Sequence, residues 1–368
     1  MNASRTFPHS LALMSAATAA ALWLTGCQHP QPQMLTLPST IKTHTDEKLG
    51  SLEVIDSKFL NLIEITTPIE KLASGFDWSE GPVWVKAGQP PLNTPTALSG
   101  GYLLFSDVPS NTVYSWKAGD GVRVFLHPSG YTGATPRGGE PGSNGLTTDS
   151  QGRLVLCEHG DRRVGRLEKD GRHITLADRY QGKRFNSPND LTYKSNGDLY
   201  FTDPPYGLEK NMDDPKKELS FQGVYRLSAG GELTLLTDRM TRPNGLAFSP
   251  DEKTLYVANS DPNQAVWMAF PVKPDGTIGE GKVFFDSTAF VKAGKKGLPD
   301  GMKVDASGNL FATGPGGVLV FSPNGEHLGT INTGEATANC AWGEDGTWLY
   351  ITADMYLCRI KTKTHGKM

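Results

Sequence analysis

The sequence runs to 368 residues, 37% of them hydrophobic, with a formal net charge of -3. A chain of this length buries a sizeable core, and a near-neutral balance without a basic tract excludes nucleic acid as the main partner. Gly (42) and Pro (25) stay below the share that marks a disordered chain, so a folded domain is expected.

The N-terminus reads separately from the rest. Arg5 gives a thin positive region, residues 11–24 an apolar one, and Leu24-Thr25-Gly26-Cys27 a small-residue junction. This predicts a secretory signal over residues 1–27, too short and wrongly flanked for a membrane span. The junction resembles a bacterial lipobox, which implies lipidation of Cys27; a plain signal with an incidental cysteine is the other reading. Gln28 stands where an inner-membrane retention signal carries Asp, so the resemblance implies an anchor in the outer membrane, facing the periplasm. Residues 28–50 are polar and rich in Pro, Thr and Gln, which reads as a flexible tether. Residues 51–368 read as one domain. Its cysteines (Cys157, Cys340 and Cys358) lack metal-ligand spacing, allow one bridge at most, and read as buried strand residues.

A repeat runs along this domain. Its clearest copy is NSPNDLTYKSNGDLYFTDPPYGL at 186–208, in which a polar turn feeds a strand, an Asn-Gly turn follows, and a second strand ends at Asp203. Comparable units open at Ser79-Glu80-Gly81-Pro82, Ser143-Asn144-Gly145-Leu146, Pro243-Asn244-Gly245-Leu246, Pro299-Asp300-Gly301-Met302 and Ala338-Asn339-Cys340-Ala341. Six units of about four short strands each predict an all-β, six-bladed β-propeller. No amphipathic helical segment separates the strands, which disfavours a parallel sheet. Residues around 50–75 are expected to lend a strand to the last blade and so remove its open edge.

In a propeller the first strand of each blade lines the central channel, so Glu80, Asn144, Asn189, Asn244, Asp300 and Asn339 converge at one mouth. Two carboxylates and several amide oxygens suit a hard divalent cation, calcium above all, and the lack of His or Cys disfavours zinc. Any one Asn-Gly or Asp-Gly is more often an ordinary turn. Recurrence at one structural position, and Glu80 as a poor turn former, favour a metal site.

SEGPVW at 79–84, SPND at 187–190, RPNG at 242–245 and LPDG at 298–301, in this order over a six-fold repeat, resemble the gluconolactonase family, with its senescence marker protein and luciferin-regenerating enzyme members. The resemblance covers roughly residues 70–355. It implies that Glu80, Asn189, Asn244 and Asp300 bind a divalent cation, usually calcium, and that Asp300 serves as general base or nucleophile. The animal lactonases carry Arg two residues before the third-blade Asn, where this chain has Ser187. SNGL, CEHGDRRV and FTDPPYGL are similar to the bacterial branch.

The expected activity is hydrolysis of a sugar lactone, D-glucono-1,5-lactone first, with a cation polarising the carbonyl and Asp300 activating water. No Gly-x-Ser-x-Gly elbow is present, which argues against a serine hydrolase. Asn144, His159, Asp203 and Tyr206 are the expected substrate contacts. Two other readings stay open: a phosphotriesterase on the same cation site, and a non-catalytic propeller that binds a ligand or partner in the cell envelope.

Overall fold

A computed structural model describes residues 36–92 and 100–366. The secretory signal over 1–27, Cys27 and the first part of the tether, residues 28–35, lie outside the described residues, and so do 93–99. Among the described residues no helix is long and apolar enough to cross a membrane.

Six of the seven antiparallel sheets among the described residues, each built on a meander of neighbours in sequence, are arranged as a β-propeller, and the seventh is a two-stranded ribbon of Arg179–Tyr180 and Lys183–Arg184. Blade 1 consists of Ser79–Val85, Tyr102–Asp107, Thr112–Lys117 and Gly121–Leu126, from the channel outwards. Blade 2 runs from Ser143–Thr148 to His173–Ala177, and blade 3 from Leu191–Tyr193 to Leu233–Thr237. Blade 4 runs from Pro243–Phe248 to Lys282–Asp286 and blade 5 from Met302–Val304 to His327–Asn332. Blade 6 begins with Asn339–Gly343, Trp348–Ala353 and Tyr356–Lys361.

Period-2 alternation explains why blades and not isolated sheets form. Successive strand residues point to opposite faces, and each face of a blade meets a different neighbour. In Leu154–Glu158 of blade 2, Leu154 and Leu156 pack against Val85, Leu104 and Val113 of blade 1. Val155 and Cys157, between them, pack against Phe185, Phe201 and Tyr225 on the blade 3 side. Six buried apolar clusters of this kind fill the six gaps between neighbouring blades. The three cysteines are free and buried, as their place on strands predicted.

The ring is closed by the N-terminal segment, in two steps. Ser51–Val54 adds a fifth strand to blade 5, pairing with His327–Asn332. A short 3-10 helix, Ser57–Asn61, then buries Phe59 completely between blades 5 and 6. Ile69–Ser74 completes blade 6 against Tyr356–Lys361. The expected loan to the last blade is therefore present, together with a second one to the blade before it.

The tether is shorter than its composition suggested. Lys42–Thr43 and Lys48–Leu49, inside the expected 28–50 tether, pair with Ile69–Ser74. Main-chain pairing on an outer edge asks for little apolar content. Burial of Ile41 beside Leu72 and Phe76, the 2.8 Å bond from His44 N to Leu72 O, and the Lys71–Glu47 ion pair hold the segment.

Candidate active site

The innermost strands meet so closely that the motifs acquire a second physical reason. A Cβ on Gly145 would stand 2.7 Å from both Asn189 O and Asp190 Oδ1 of blade 3. Cβ atoms on Gly81, Gly245 and Gly301 would run into Asn144 O, Asp300 O and the Asn339 side chain of the next blade. The glycine after four of the six ring residues thus lets neighbouring blades touch at the channel mouth. Blades 3 and 6 depart from this pattern by placing Asp190 and Cys340 there.

Three ring residues share one device. A residue at or just before the end of the second strand turns its side chain back onto the approach to the first. In blade 1, Asp107 Oδ1 accepts the N–H of Trp78 at 2.9 Å, two residues before Glu80. In blade 3, Asp203 accepts the N–H groups of Asn186 and Ser187, each at 2.8 Å, and Ser187 is two residues before Asn189. In blade 4, Asn259 Oδ1 accepts the N–H of Arg242 at 2.8 Å, two residues before Asn244. Backbone bonds complete the hold, such as Asn189 N to Thr202 O at 2.9 Å and Asp300 N to Thr313 O at 3.0 Å.

At this mouth lies a cavity of about 500 Å³, lined among others by Trp78, Glu80, Glu140, Asn144, Asn189, Tyr206, Asn244, Ser260 and Asp300. Among its described lining residues there are three carboxylates and no Lys, Arg or His. Burial, with repulsion from Asp190 and Glu140, pushes the Glu80 carboxyl up to about 8 despite hydrogen bonds from Gly81 N and Asn339. Burial first, then repulsion from Glu80, Asp190 and Glu140, holds Asp300 well above the usual carboxylate range. Buried carboxylates without a counter-charge are costly.

The same lining residues carry buried oxygens that lack a protein partner: Asn144 Oδ1, Asn189 Oδ1, Tyr206 Oη and Asp300 Oδ1. Asn244 commits its Nδ2 to Ser260 Oγ at 2.9 Å, which leaves its amide oxygen for the cavity. Among the described residues no cluster of three or more His, Cys, Asp and Glu forms a metal site. A cation held here would rely on two carboxylates together with amide oxygens. Oxygen-only donors suit a hard cation.

Of the expected site residues, Glu80, Asn144, Asn189, Asn244, Asp300 and Tyr206 line one cavity. Two expected substrate contacts do not. Asp203 is fully buried behind the ring as the blade 3 clasp. His159 is also fully buried, with Nε2 3.5 Å from Asn189 Nδ2, and lies behind that residue instead of in the cavity. Both sit on the predicted loop side, but strand direction alone does not tell which layer a side chain occupies.

Sequence reasoning passed over two acidic residues. Glu140 lies in a Gly- and Pro-rich loop without repeat or periodicity to mark it. Asp190, 3% exposed, accepts from Leu191 N at 2.8 Å and faces Asn339 Nδ2 at 3.5 Å. The signal for it was present, because Asn-Asp replaces the Asn-Gly of two other blades. Asn339 is the sixth convergent residue, but its amide donates to neighbouring carboxylates and its own oxygen accepts from Cys340 N at 2.9 Å.

Residues 78–354 match the model of the SMP-30/gluconolactonase/LRE-like region. The chain belongs to this family. A gluconolactonase of Zymomonas mobilis is 41% identical over 332 residues, covering 86% of this chain and 88% of its own length. A gluconolactonase structure from Xanthomonas campestris superimposes with a TM-score of 0.71 at 31% identity, covering 87% of this chain and 98% of its own. The matched region of this SMP-30/gluconolactonase/LRE-like protein contains every residue of the carboxylate and amide ring.

Proposed function

We propose that this lactonase hydrolyses an aldonolactone, D-glucono-1,5-lactone first, with a calcium ion held by Glu80, Asn189, Asn244 and Asp300. The observation that carries the proposal is a cavity whose described lining has three carboxylates, no basic side chain and four unpartnered buried oxygens. The gluconolactonases of Zymomonas mobilis and Xanthomonas campestris supply the substrate class. When bound, a divalent cation supplies Lewis-acid polarisation of an ester carbonyl and lowers the pKa of nearby carboxylates.

The residues of the chain supply the rest. Asp300 offers an unpartnered Oδ1, which takes the proton of the water that attacks the lactone carbonyl. The proton then passes to the ring oxygen as the C–O bond of the lactone breaks, giving the hydroxy acid. Asn144 and Tyr206, on the cavity wall, bind sugar hydroxyls. A lactone is an activated ester, so one positioned base and one electrophilic centre suffice.

The test follows acid release from glucono-1,5-lactone by pH indicator, with purified protein before chelation, after it, and after calcium is restored. Activity lost with chelator and regained with calcium is the expected result. Activity that survives complete metal removal overturns the cation. A faster reaction on a phosphotriester than on any lactone overturns the substrate.

The location belongs to the same proposal. The signal-like residues 1–27 and the lipobox-like Leu-Thr-Gly-Cys support a periplasmic protein anchored in the outer membrane through lipidated Cys27. Such a site suits a lactone made outside the cytoplasm by aldose oxidation. Radiolabelled palmitate entering the wild type but not C27S is the expected result; equal labelling, or none, overturns the anchor.

A further inference from the structure

Glu140, His159 and Asn189 form a chain that leads inward from the cavity wall. Glu140 Oε2 lies 3.2 Å from His159 Nδ1, and His159 Nε2 lies 3.5 Å from Asn189 Nδ2. The imidazole is fully buried, whereas the Glu140 side chain is 36% exposed and lines the cavity. The contact at Nε2 sets the tautomer. An amide Nδ2 only donates, so the Nε2 facing it must accept. The proton then sits on Nδ1, which is buried without a formed hydrogen bond and has the Glu140 carboxylate 3.2 Å away, within reach of a small side-chain turn.

We propose that Glu140 and His159 are positioning residues that act through Asn189. By accepting from Nδ2, the imidazole fixes the amide so that Asn189 Oδ1, buried and without a protein partner, is the atom presented to the cavity. Were the amide reversed, Nδ2 would face the site, and an N–H donor cannot ligate a cation. Glu140 enforces this at one remove, since without an acceptor for Nδ1–H the ring is free to take the other tautomer or turn. The backbone is already held by Asp203 and Thr202. The side-chain rotation of Asn189 is what remains to be fixed. Outer partners of this kind typically change metal affinity by about 10–100-fold.

This rests on the proposed cation site, so the test reads the chain in two independent ways. The first is the nitrogen-15 resonances of His159 in metal-free full-length protein, assigned by their loss in H159L. Protonated Nδ1 and bare Nε2 are expected; the opposite tautomer overturns the proposal whether or not metal binds. The second is calcium affinity by titration calorimetry. E140A and H159L are each expected to weaken binding about 10–100-fold.

E140Q retains an acceptor for Nδ1–H and is expected to stay within about threefold of the wild type. E140A/H159L is expected to be little weaker than H159L, because the hold of Glu140 on the Asn189 amide runs through the ring. Equal losses in E140Q and E140A, or additive losses in the double variant, show instead that the carboxylate charge acts directly and overturn the relay. E140A alone carries the affinity test if H159L fails to fold. A wild type that binds no divalent cation refutes the cation site, and the effect on affinity with it, while leaving the tautomer result to stand or fall by itself.

Discussion

Asp203 accepts the backbone N–H of Ser187 at 2.8 Å from a fully buried position, two residues ahead of Asn189. Burial pushes its carboxyl up to about 7, against bonds from Asn186 N and Ser187 N that pull it down. A folded-state value above the unfolded one means that protonation favours the folded state. That contribution is complete below the unfolded value of about 3.8 and is lost as pH rises through about 7. In calcium-saturated protein the melting temperature is expected to fall between about pH 4 and 7, and to fall less steeply in D203N. Equal slopes would show that Asp203 does not titrate in this range.

Asp300→Asn keeps the shape of the ring and removes the base. The variant is expected to lose at least 100-fold in kcat on glucono-1,5-lactone, the usual scale of a general base. Its far-ultraviolet dichroism should match the wild type. Full activity in D300N would move the base elsewhere, with Glu80 the next group to substitute.

Gly145→Ala tests the contact between blades 2 and 3. Its Cβ would stand 2.7 Å from two oxygens of the next blade, and one of these belongs to Asn189. Overpacking of this kind costs about 1–3 kcal/mol, read from the urea midpoint at unchanged slope. Because the displaced backbone carries Asn189, calcium affinity should drop in parallel. A variant as stable as the wild type would show that the strands part without cost.

Deleting residues 1–39 removes none of the described strands, keeps the buried Ile41, and should leave the unfolding free energy within about 0.5 kcal/mol of the wild type. Extending the deletion to residue 75 removes Ser51–Val54 and Ile69–Ser74 and bares the edges of blades 5 and 6. That protein is expected to aggregate or unfold without a cooperative transition. A soluble, cooperatively folded product would show that the meander of 79–361 closes unaided.

The extent to which the sequence disclosed this molecule follows from what repeats. Ring residues recur six times with the same neighbours, and the glycines after four of them answer to a packing demand at each interface, so architecture and ring were both readable. Glu140 occurs once, in a loop, and only the fold brings it to His159. His159 and Asp203 were assigned to the right end of the ring but the wrong layer. Whether a side chain at a strand end faces the cavity or turns back on the preceding loop depends on rotamers that no spacing encodes. Lys42–Thr43 and Lys48–Leu49 escaped notice for another reason. Two polar residues suffice for an edge pairing, and two residues hold no periodicity.

The closure of blade 6 also sets an order of events. Ile69–Ser74 finds its partner in Tyr356–Lys361, which the ribosome delivers after every other described strand of the ring. Until then the early strand has no permanent neighbour, and blade 1 lacks the face of blade 6 that shelters Leu103, Phe105 and Trp116. The first-made part of the domain therefore waits longest, with apolar surface exposed, and pairing over so long a stretch is slow by nature. A growing chain of this protein is most exposed to misassembly or proteolysis in the interval before Tyr356–Lys361 emerges.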